Sequence, residues 1–279
     1  MFLALAIEPL STMYSLALNE EALGKILRQL KRFIKARVQS ANARGAVVAL
    51  SGGVDSSVVA ALAHDVVDTK ALILPEKGVT SEQDVLDAIS IAEAYKLSFT
   101  TIDINDLVNC FTGSAKPILP AHTLDRLSIA EANLKPRIRM ALNYVASNAD
   151  RRIVLGTGNR TELLTGYFTK YGDGGVDALP IGGLYKTQVF QLAWHLNIPQ
   201  RIISKAPSAG LWLGQTDEEE LGISYSLLDP ILCELIDKKK SAEETAQLLG
   251  VESHQVQAIS KQVQSASHKR RTPLIAQIR

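Results

Sequence analysis

Hydrophobic positions in the first two thirds of the chain alternate between two spacings. Apolar residues recur every three or four positions between Leu23 and Ile34, which predicts an amphipathic helix. The run Gly45–Leu50 is almost continuously apolar and predicts a strand buried on both faces. Further helices are predicted at 56–66, 81–95, 128–147 and 187–196, and further strands at 71–74, 98–103 and 152–155. This alternation is typical of an α/β fold with a doubly wound parallel sheet flanked by helices.

Three later segments depart from that alternation. The stretch Gly156–Gly183 is so rich in glycine that we predict no regular structure there, and a glycine-dense segment of this length is usually functional. The stretch Lys205–Gly222 is also irregular and suits a lid. Beyond it the pattern is helical, with a capping-box spacing at Ser241 and Glu244. Pro136 predicts the start of a helix, because proline is tolerated in a first turn.

These segments predict one domain over residues 1–279. Its α/β core occupies 45–200, and a helical C-terminal part occupies 223–279. Residues 1–18 are a possible N-terminal extension, since Met13 is an alternative start to Met1.

Composition narrows the possible classes of protein. Apolar residues make up 46% and charged residues 21%, as in globular proteins with a core. The net charge is only +1, which argues against a general nucleic-acid binder. No apolar run is long enough to span a membrane. The two cysteines, Cys110 and Cys233, fit neither a disulfide framework nor a zinc site, and we therefore expect a cytoplasmic protein.

The candidate chemistry begins directly after the first predicted strand, at Ser51-Gly52-Gly53-Val54-Asp55-Ser56. Adjacent glycines let backbone N–H groups approach an anion, and the N-terminus of the following helix adds further free donors. An aspartate would repel a phosphate by itself, so Asp55 makes sense mainly as a ligand of a bridging Mg²⁺. The segment is not a Walker A loop, because no G-x-x-x-x-G-K-[ST] occurs in the chain.

The hexad Ser51–Ser56 resembles the pyrophosphate loop of ATP-pyrophosphatase enzymes, which split ATP between the α and β phosphates. Other blocks are similar to the signature of one family within this superfamily, the NAD synthetases, and they follow in the same order along about 23–273. They are Asn133–Met140, Gly156–Glu162, Gly166–Asp177, Lys186, Pro207–Ala209 and His268–Arg270.

The resemblance implies a fold like that of the adenine nucleotide alpha hydrolases and an ammonia-dependent ligase. Such an enzyme uses ATP to adenylate the carboxylate of deamido-NAD, and ammonia then displaces AMP to give NAD.

The resemblance also implies a role for each matching position. ATP would be bound by Ala49, Leu50, Ser51, Gly52, Gly53, Val54, Asp55, Ser56, Thr157, Lys186 and Ser208. Mg²⁺ would be held by Asp55 and Glu162, and ammonia by Asp173 as the catalytic residue. Deamido-NAD would be bound by Arg137, Lys170, Asp177, His268 and Lys269.

The nitrogen source and the partners follow from the same resemblance. Glutamine-dependent relatives carry an extra amidohydrolase domain, for which 279 residues leave no room, so we expect ammonia as the donor. The family is typically a homodimer. We therefore expect ATP, deamido-NAD, ammonia and a second copy of the chain as partners, and neither nucleic acid nor a membrane.

Three other functions remain open from the residues alone. A tRNA-modifying enzyme of the same superfamily would need a reactive cysteine pair or a basic surface. A transcriptional regulator is suggested by the helix-turn-helix spacing of Thr245–Ile259, whose second helix has no Lys or Arg before Lys261. A nucleotide sensor without catalysis would lack the pair Asp55 and Glu162.

Overall fold

A four-stranded parallel sheet forms the centre of the protein. The computed structural model describes residues 16–118 and 124–278, with the side chains of 124–128 left out. The strands are β1 (Gly45–Ala49), β2 (Thr69–Ile73), β3 (Ser98–Thr101) and β4 (Arg152–Leu155). Their order is β3-β2-β1-β4, with Ala46 of β1 paired to Thr69 on one side and to Ile153 on the other. The predicted fold class is confirmed.

Helices cover both faces of this sheet. The helices of the described residues are α1 (Glu20–Ser40), α2 (Val54–His64), α3 (Glu82–Ala94), α4 (Asn105–Ala115), α5 (Leu124–Ala149), α6 (Arg160–Thr165), α7 (Lys186–His195), α8 (Gln200–Ile203), α9 (Asp217–Leu221), α10 (Tyr225–Leu232), α11 (Ala242–Leu249) and α12 (Ser253–Ser265). A π-helix at Cys233–Asp237 follows α10, and 3₁₀ turns occupy Lys116–Ile118 and Ala266–Arg270.

The strand β1 shows why the sheet must be covered on both sides. Successive side chains of a strand point to opposite faces. Ala46 and Val48 pack into the larger core with α1, α2, α3 and α7, whereas Val47 packs with α4 and α5. All three are fully buried. The continuous apolar run therefore has the physical cause that the sequence predicted.

The C-terminal helices build a separate apolar cluster beside this core. Tyr225, Ile231, Val256 and Val263 from α10 and α12 pack there with Leu164 of α6. The capping box predicted at Ser241 is present and begins α11, because Ser241 and Glu244 bond to each other's backbone N–H. Gly250 ends that helix in the left-handed conformation. The helical C-terminal part thus packs directly on α6.

Two local predictions were wrong. Pro136 lies inside α5 and does not begin it. Its ring is buried against the glycine-rich segment, where a Cβ on Gly172 would lie 2.8 Å from Cβ of Pro136. The segment Gly156–Gly183 does contain regular structure, namely α6. This helix begins because Asn159 and Glu162 form a capping box that the glycine content obscured.

The predicted N-terminal extension lies mostly outside the described residues, and with it both candidate starts. Its described end is attached to α7, since Gln191 accepts from the backbone N–H of Leu18 and donates to the carbonyl of Leu16. Among the described residues, no helix has the length and apolar character that crossing a membrane requires.

Candidate active site

The glycine-rich turn after β1 has a backbone shape that only glycine allows without strain. Gly52 has φ of +79°, and a Cβ placed on it would lie 2.2 Å from the carbonyl oxygen of Asp84 in α3. The turn is therefore pressed against the first turns of α3. Ala49 and Leu50 lead into it from the sheet, and Leu50 is fully buried.

The N-terminus of α2 faces the same turn. Gly53 is its N-cap residue and supplies no side chain to satisfy the first N–H groups of the helix. Ser51 Oγ and Ser56 Oγ lie 3.1 Å apart, and Ser51 Oγ accepts from the N–H of Gly53 at 3.3 Å. Hydroxyls and N–H groups thus converge on one place. This is the arrangement by which helix N-termini bind anions.

A buried ammonium group lies beside this turn. The Nζ atom of Lys186 is in contact with Oδ2 of Asp55, and it lies 3.9 Å from Oε1 of Glu162. Asn159 joins the two carboxylates, because its side-chain nitrogen donates to Asp55 Oδ1 at 3.1 Å and its backbone N–H donates to Glu162 Oε2. The three predicted residues Asp55, Glu162 and Lys186 therefore form one cluster.

The charges in this cluster shift one another's protonation. Burial alone would lower the pKa of Lys186, but the carboxylates of Asp55 and Glu162 outweigh it, and the pKa is raised. Burial and the neighbouring charge of Asp55 raise the pKa of Glu162. A cation placed between Asp55 and Glu162 would favour the charged form of Glu162.

The backbone that carries Lys186 is held by polar groups from two other helices. Thr161 Oγ1 accepts from the N–H of Lys186 at 3.0 Å, and Asp229 Oδ2 accepts from the N–H of Thr187 at 2.8 Å. Asp229 is fully buried and also accepts from Thr161 Oγ1. Burial raises its pKa to about 6. No local pattern in the sequence marks Asp229, because its partners lie far away along the chain.

The segment 205–222, which was predicted to be a lid, contributes Asp217 at the start of α9 to the surroundings of Lys186. Asp217 is buried, and its Oδ2 accepts from the hydroxyl of Tyr225 at 2.9 Å. The ring centroid of Tyr225 lies 5.5 Å from Lys186 Nζ. Oδ1 of Asp217 is buried without a hydrogen-bond partner. Sequence analysis missed Asp217, which stood among several acidic residues.

Two further residues predicted to contact ATP lie at the edges of this region. Thr157 is half-buried just past the carboxyl end of β4. Ser208 is exposed in the irregular segment before α9, where its Oγ accepts from the N–H of Gly210. Neither has a contact with the cluster around Lys186 that the structure records.

Four of the predicted dinucleotide-binding residues form a second, basic cluster. Arg137 of α5 donates to the carbonyl of Lys170, and Lys170 donates to the carbonyl of His268 at 2.9 Å. Lys269 donates to the carbonyls of Gly166 and Phe168 at 2.7 and 2.9 Å. The basic residues near the C-terminus are therefore docked on the end of α6. They are not a freely solvated tail.

The remaining two predicted residues are carboxylates in the glycine-rich segment. Asp173 is exposed, and its Oδ1 accepts from the N–H of Thr169. Asp177 bonds within the protein, where Oδ2 accepts from the N–H of Val154 in β4 and Oδ1 from the hydroxyl of Tyr144. Both oxygens of Asp177 are thus already engaged.

The geometry suits a polyphosphate with a divalent cation. A hard cation prefers carboxylate and phosphate oxygens, and the ammonium of Lys186 already stands in for a cation beside Asp55 and Glu162. Within residues 16–118 and 124–278, no three His, Cys, Asp or Glu side chains converge as a complete metal site requires. Asp55 and Glu162 fit a cation whose other ligands are phosphate and water oxygens.

The chain is similar to known proteins over most of its length. A sequence model of the family described as NAD synthase matches residues 26–273. An NH(3)-dependent NAD(+) synthetase of Archaeoglobus fulgidus is 49% identical over 258 residues, which cover 91% of this chain and 97% of that protein.

Two solved structures resemble the whole fold. One is an NMN synthetase from Francisella tularensis, with a TM-score of 0.80 and 34% identity, covering 92% of this chain and 99% of that one. The other is an NH3-dependent NAD synthetase from Campylobacter jejuni, with a TM-score of 0.76 and 27% identity, covering 94% and 100%.

Replacing Gly52 with alanine tests the turn. The new Cβ would meet the carbonyl of Asp84, so we expect Gly52→Ala to cost about 1–3 kcal/mol of the free energy of unfolding. Gly53→Ala is the control, because φ of Gly53 is −89° and the nearest atom to its new Cβ is Ser51 Oγ at 3.3 Å. It should cost no more than about 1 kcal/mol. Urea unfolding measures both, and equal losses would contradict the strained turn.

Proposed function

The chain belongs to the NAD synthase family, and on that premise we propose that it is an ammonia-dependent NAD synthetase. It converts deamido-NAD, ATP and ammonia to NAD, AMP and pyrophosphate. The observation that carries the proposal is the cluster of Asp55, Glu162 and Lys186 beside the turn Ser51–Ser56. A nucleotide sensor without catalysis would have no need of the two carboxylates.

The chemistry has two steps, because a carboxylate is a poor electrophile. In the first, an oxygen of the pyridine carboxylate attacks the α-phosphorus of ATP, and the bond to the bridging oxygen breaks to release pyrophosphate. In the second, ammonia attacks the resulting mixed anhydride, AMP leaves, and one proton is lost. Both steps depend on positioning and on neutralising charge.

The turn Ser51–Ser56 and the cluster around Lys186 have different roles in this reaction. Ser51, Ser56 and the free N–H groups of α2 bind the β and γ phosphates, which leave as pyrophosphate. Lys186 supplies a fixed positive charge to the same oxygens. Asp55 and Glu162 hold Mg²⁺, which supplies charge neutralisation when it is bound. Thr157 and Ser208 add hydroxyls around ATP.

The basic cluster is proposed to bind the second substrate. Arg137, Lys170, His268 and Lys269 lie together where the anionic phosphates of a dinucleotide would be attracted. Asp173 is the proposed binding residue for ammonium and the acceptor of its proton. Asp177 is also proposed to contact the dinucleotide, while its two oxygens keep the hydrogen bonds that they accept from Val154 and Tyr144.

The direct test of this function is a reaction mixture of protein, ATP, Mg²⁺, ammonium and deamido-NAD. We expect NAD and pyrophosphate in equal amounts, measured by enzymatic coupling and by chromatography. Omitting ammonium should stop NAD formation. A folded protein that forms no NAD overturns the proposal.

A second candidate substrate comes from the similarity to the NMN synthetase. Such an enzyme would amidate nicotinic acid mononucleotide, which lacks the adenylate half of deamido-NAD. Offering both acids at equal concentration separates the two functions. We expect deamido-NAD to have the higher kcat/KM, because the 49% identical relative is an NAD synthetase. The reverse order would favour the mononucleotide.

Asp55 provides a sharper test of the phosphate site. We expect Asp55→Asn to lower pyrophosphate release at least about a hundredfold, since an amide offers no charge to a divalent cation. The fold should remain, because Glu162 still lies beside Lys186. Asp65→Asn at the other end of α2 is the control, as Asp65 forms an ion pair with Lys31 on the surface. Unchanged turnover in Asp55→Asn would remove Asp55 from this role.

We also propose a cytoplasmic homodimer. The two thiols, Cys110 and Cys233, are unpaired within the described residues, as in a reducing compartment. Leu107 and Phe111 share one face of α4, and Val145 of the neighbouring α5 is 67% exposed. Uncovered apolar side chains of this size favour a protein interface.

The interface is tested by adding a charge to it. Sedimentation velocity should show a dimer for the protein and a monomer for Val145→Glu. Leu86→Glu on α3 is the matched control, since Leu86 is 58% exposed but lies on a different helix. It should leave the dimer intact. A monomeric parent protein overturns the proposal.

A further inference from the structure

Lys205 connects the glycine-rich turn to α3. Its Nζ atom lies 3.2 Å from the carbonyl oxygen of Gly52, 2.7 Å from Oδ1 of Asp84 and 2.6 Å from Oδ2 of Asp87. An ammonium group has three N–H donors and no acceptor, so three acceptors satisfy it completely. Lys205 also stands three residues before Ser208, at the start of the segment that leads to α9.

The buried carboxylate of Asp87 holds the ammonium of Lys205 in place. Asp87 is 1% exposed, and its Oδ1 accepts from Nε of Arg201 at 2.8 Å. Burial alone would raise the pKa of Asp87, but the bonds from Lys205 and Arg201 lower it. A buried carboxylate that stays charged fixes the ammonium opposite it. Arg201 shares this carboxylate but has no recorded contact with the turn.

The contact with Gly52 has a geometric consequence for the next peptide group. In a trans peptide the C=O of one residue and the N–H of the next point in opposite directions. No cis bond occurs in the described residues. Because Lys205 holds the carbonyl of Gly52 toward α3, the N–H of Gly53 is turned to the other side, where it donates to Ser51 Oγ at 3.3 Å.

We propose that Lys205 is a positioning residue, which orients the Gly52–Gly53 peptide so that its N–H faces the departing pyrophosphate. This inference rests on the proposed function, since it assigns the phosphates of ATP to that turn. Gly52 has a positive φ and no side chain, so its backbone can rotate when the anchor is removed. The three donors of Lys205 are engaged by Gly52, Asp84 and Asp87, so Lys205 acts through the peptide.

Removing the ammonium tests the proposal, with Lys205→Met and Lys205→Gln as two variants. We expect the KM for ATP and the dissociation constant for pyrophosphate to rise about tenfold, as for the loss of one hydrogen bond to a charged group. The KM for deamido-NAD should change less than twofold. Lys205→Arg should recover part of the loss, because it restores a charge but not the compact three-donor geometry.

Arg201→Met is the matched control. It removes a bond to the same buried carboxylate, and hence some stability, but leaves the contact of Lys205 with Gly52. Its KM for ATP should stay within twofold of the parent. The proposal is overturned if Lys205→Met keeps the parent's affinity for pyrophosphate. It is also overturned if the KM values of Lys205→Met for ATP and for deamido-NAD rise together as its melting temperature falls.

Calorimetric binding of ATP and pyrophosphate keeps this test separate from turnover. A parent protein that binds both but makes no NAD would refute the proposed function, while a weaker binding by Lys205→Met would still support the role of Lys205. A parent protein that binds neither would overturn both.

Discussion

The buried ammonium of Lys186 is the interaction on which the candidate site depends. Lys186 begins α7, and Asp55 and Glu162 lie in the first turns of α2 and α6, so one charged group links the ends of three helices. Burying an ammonium without partners would cost several kcal/mol. This cost is comparable to the whole free energy of unfolding of a small protein. The carboxylates of Asp55 and Glu162 therefore stabilise the fold, and in the proposed function the same two side chains hold the metal. In the proposed function, the three side chains that stabilise this junction also take part in the chemistry.

The short helix α6 sets the distance between the two halves of the site. Its first turn carries Asn159 and Glu162 beside Lys186, and its last carbonyls accept from Lys269 and Arg270. Six residues at about 1.5 Å each separate its two ends by roughly 9 Å. Cations at its C-terminal end also favour the helix dipole. The basic cluster thus stabilises the element that positions Glu162.

Local patterns in the sequence predicted the features that neighbouring residues determine. The run Gly45–Leu50, the turn Ser51–Ser56 and the capping box at Ser241 are each encoded within a few positions, and the structure contains all three. The position of Pro136 inside α5 could not be predicted in this way, because its ring packs on Gly172, which comes later in the chain. Asp229, Asp217 and Lys205 were missed for the same reason. Their partners are brought close only by the fold, and a buried carboxylate resembles a surface one in sequence.

The residues that meet where β4 pairs with β1 are far apart along the chain, which affects how the protein folds. Asp55 and Asn159 are 104 residues apart in sequence, and Asp55 and Lys186 are 131 apart. Contacts at such separation form slowly, because a long loop must close before they contribute. We therefore expect the polar cluster to form late in folding, once β4 has docked on β1. Partly folded chains would bind no nucleotide, so a ligand in the cell would select mature molecules and protect them from proteolysis.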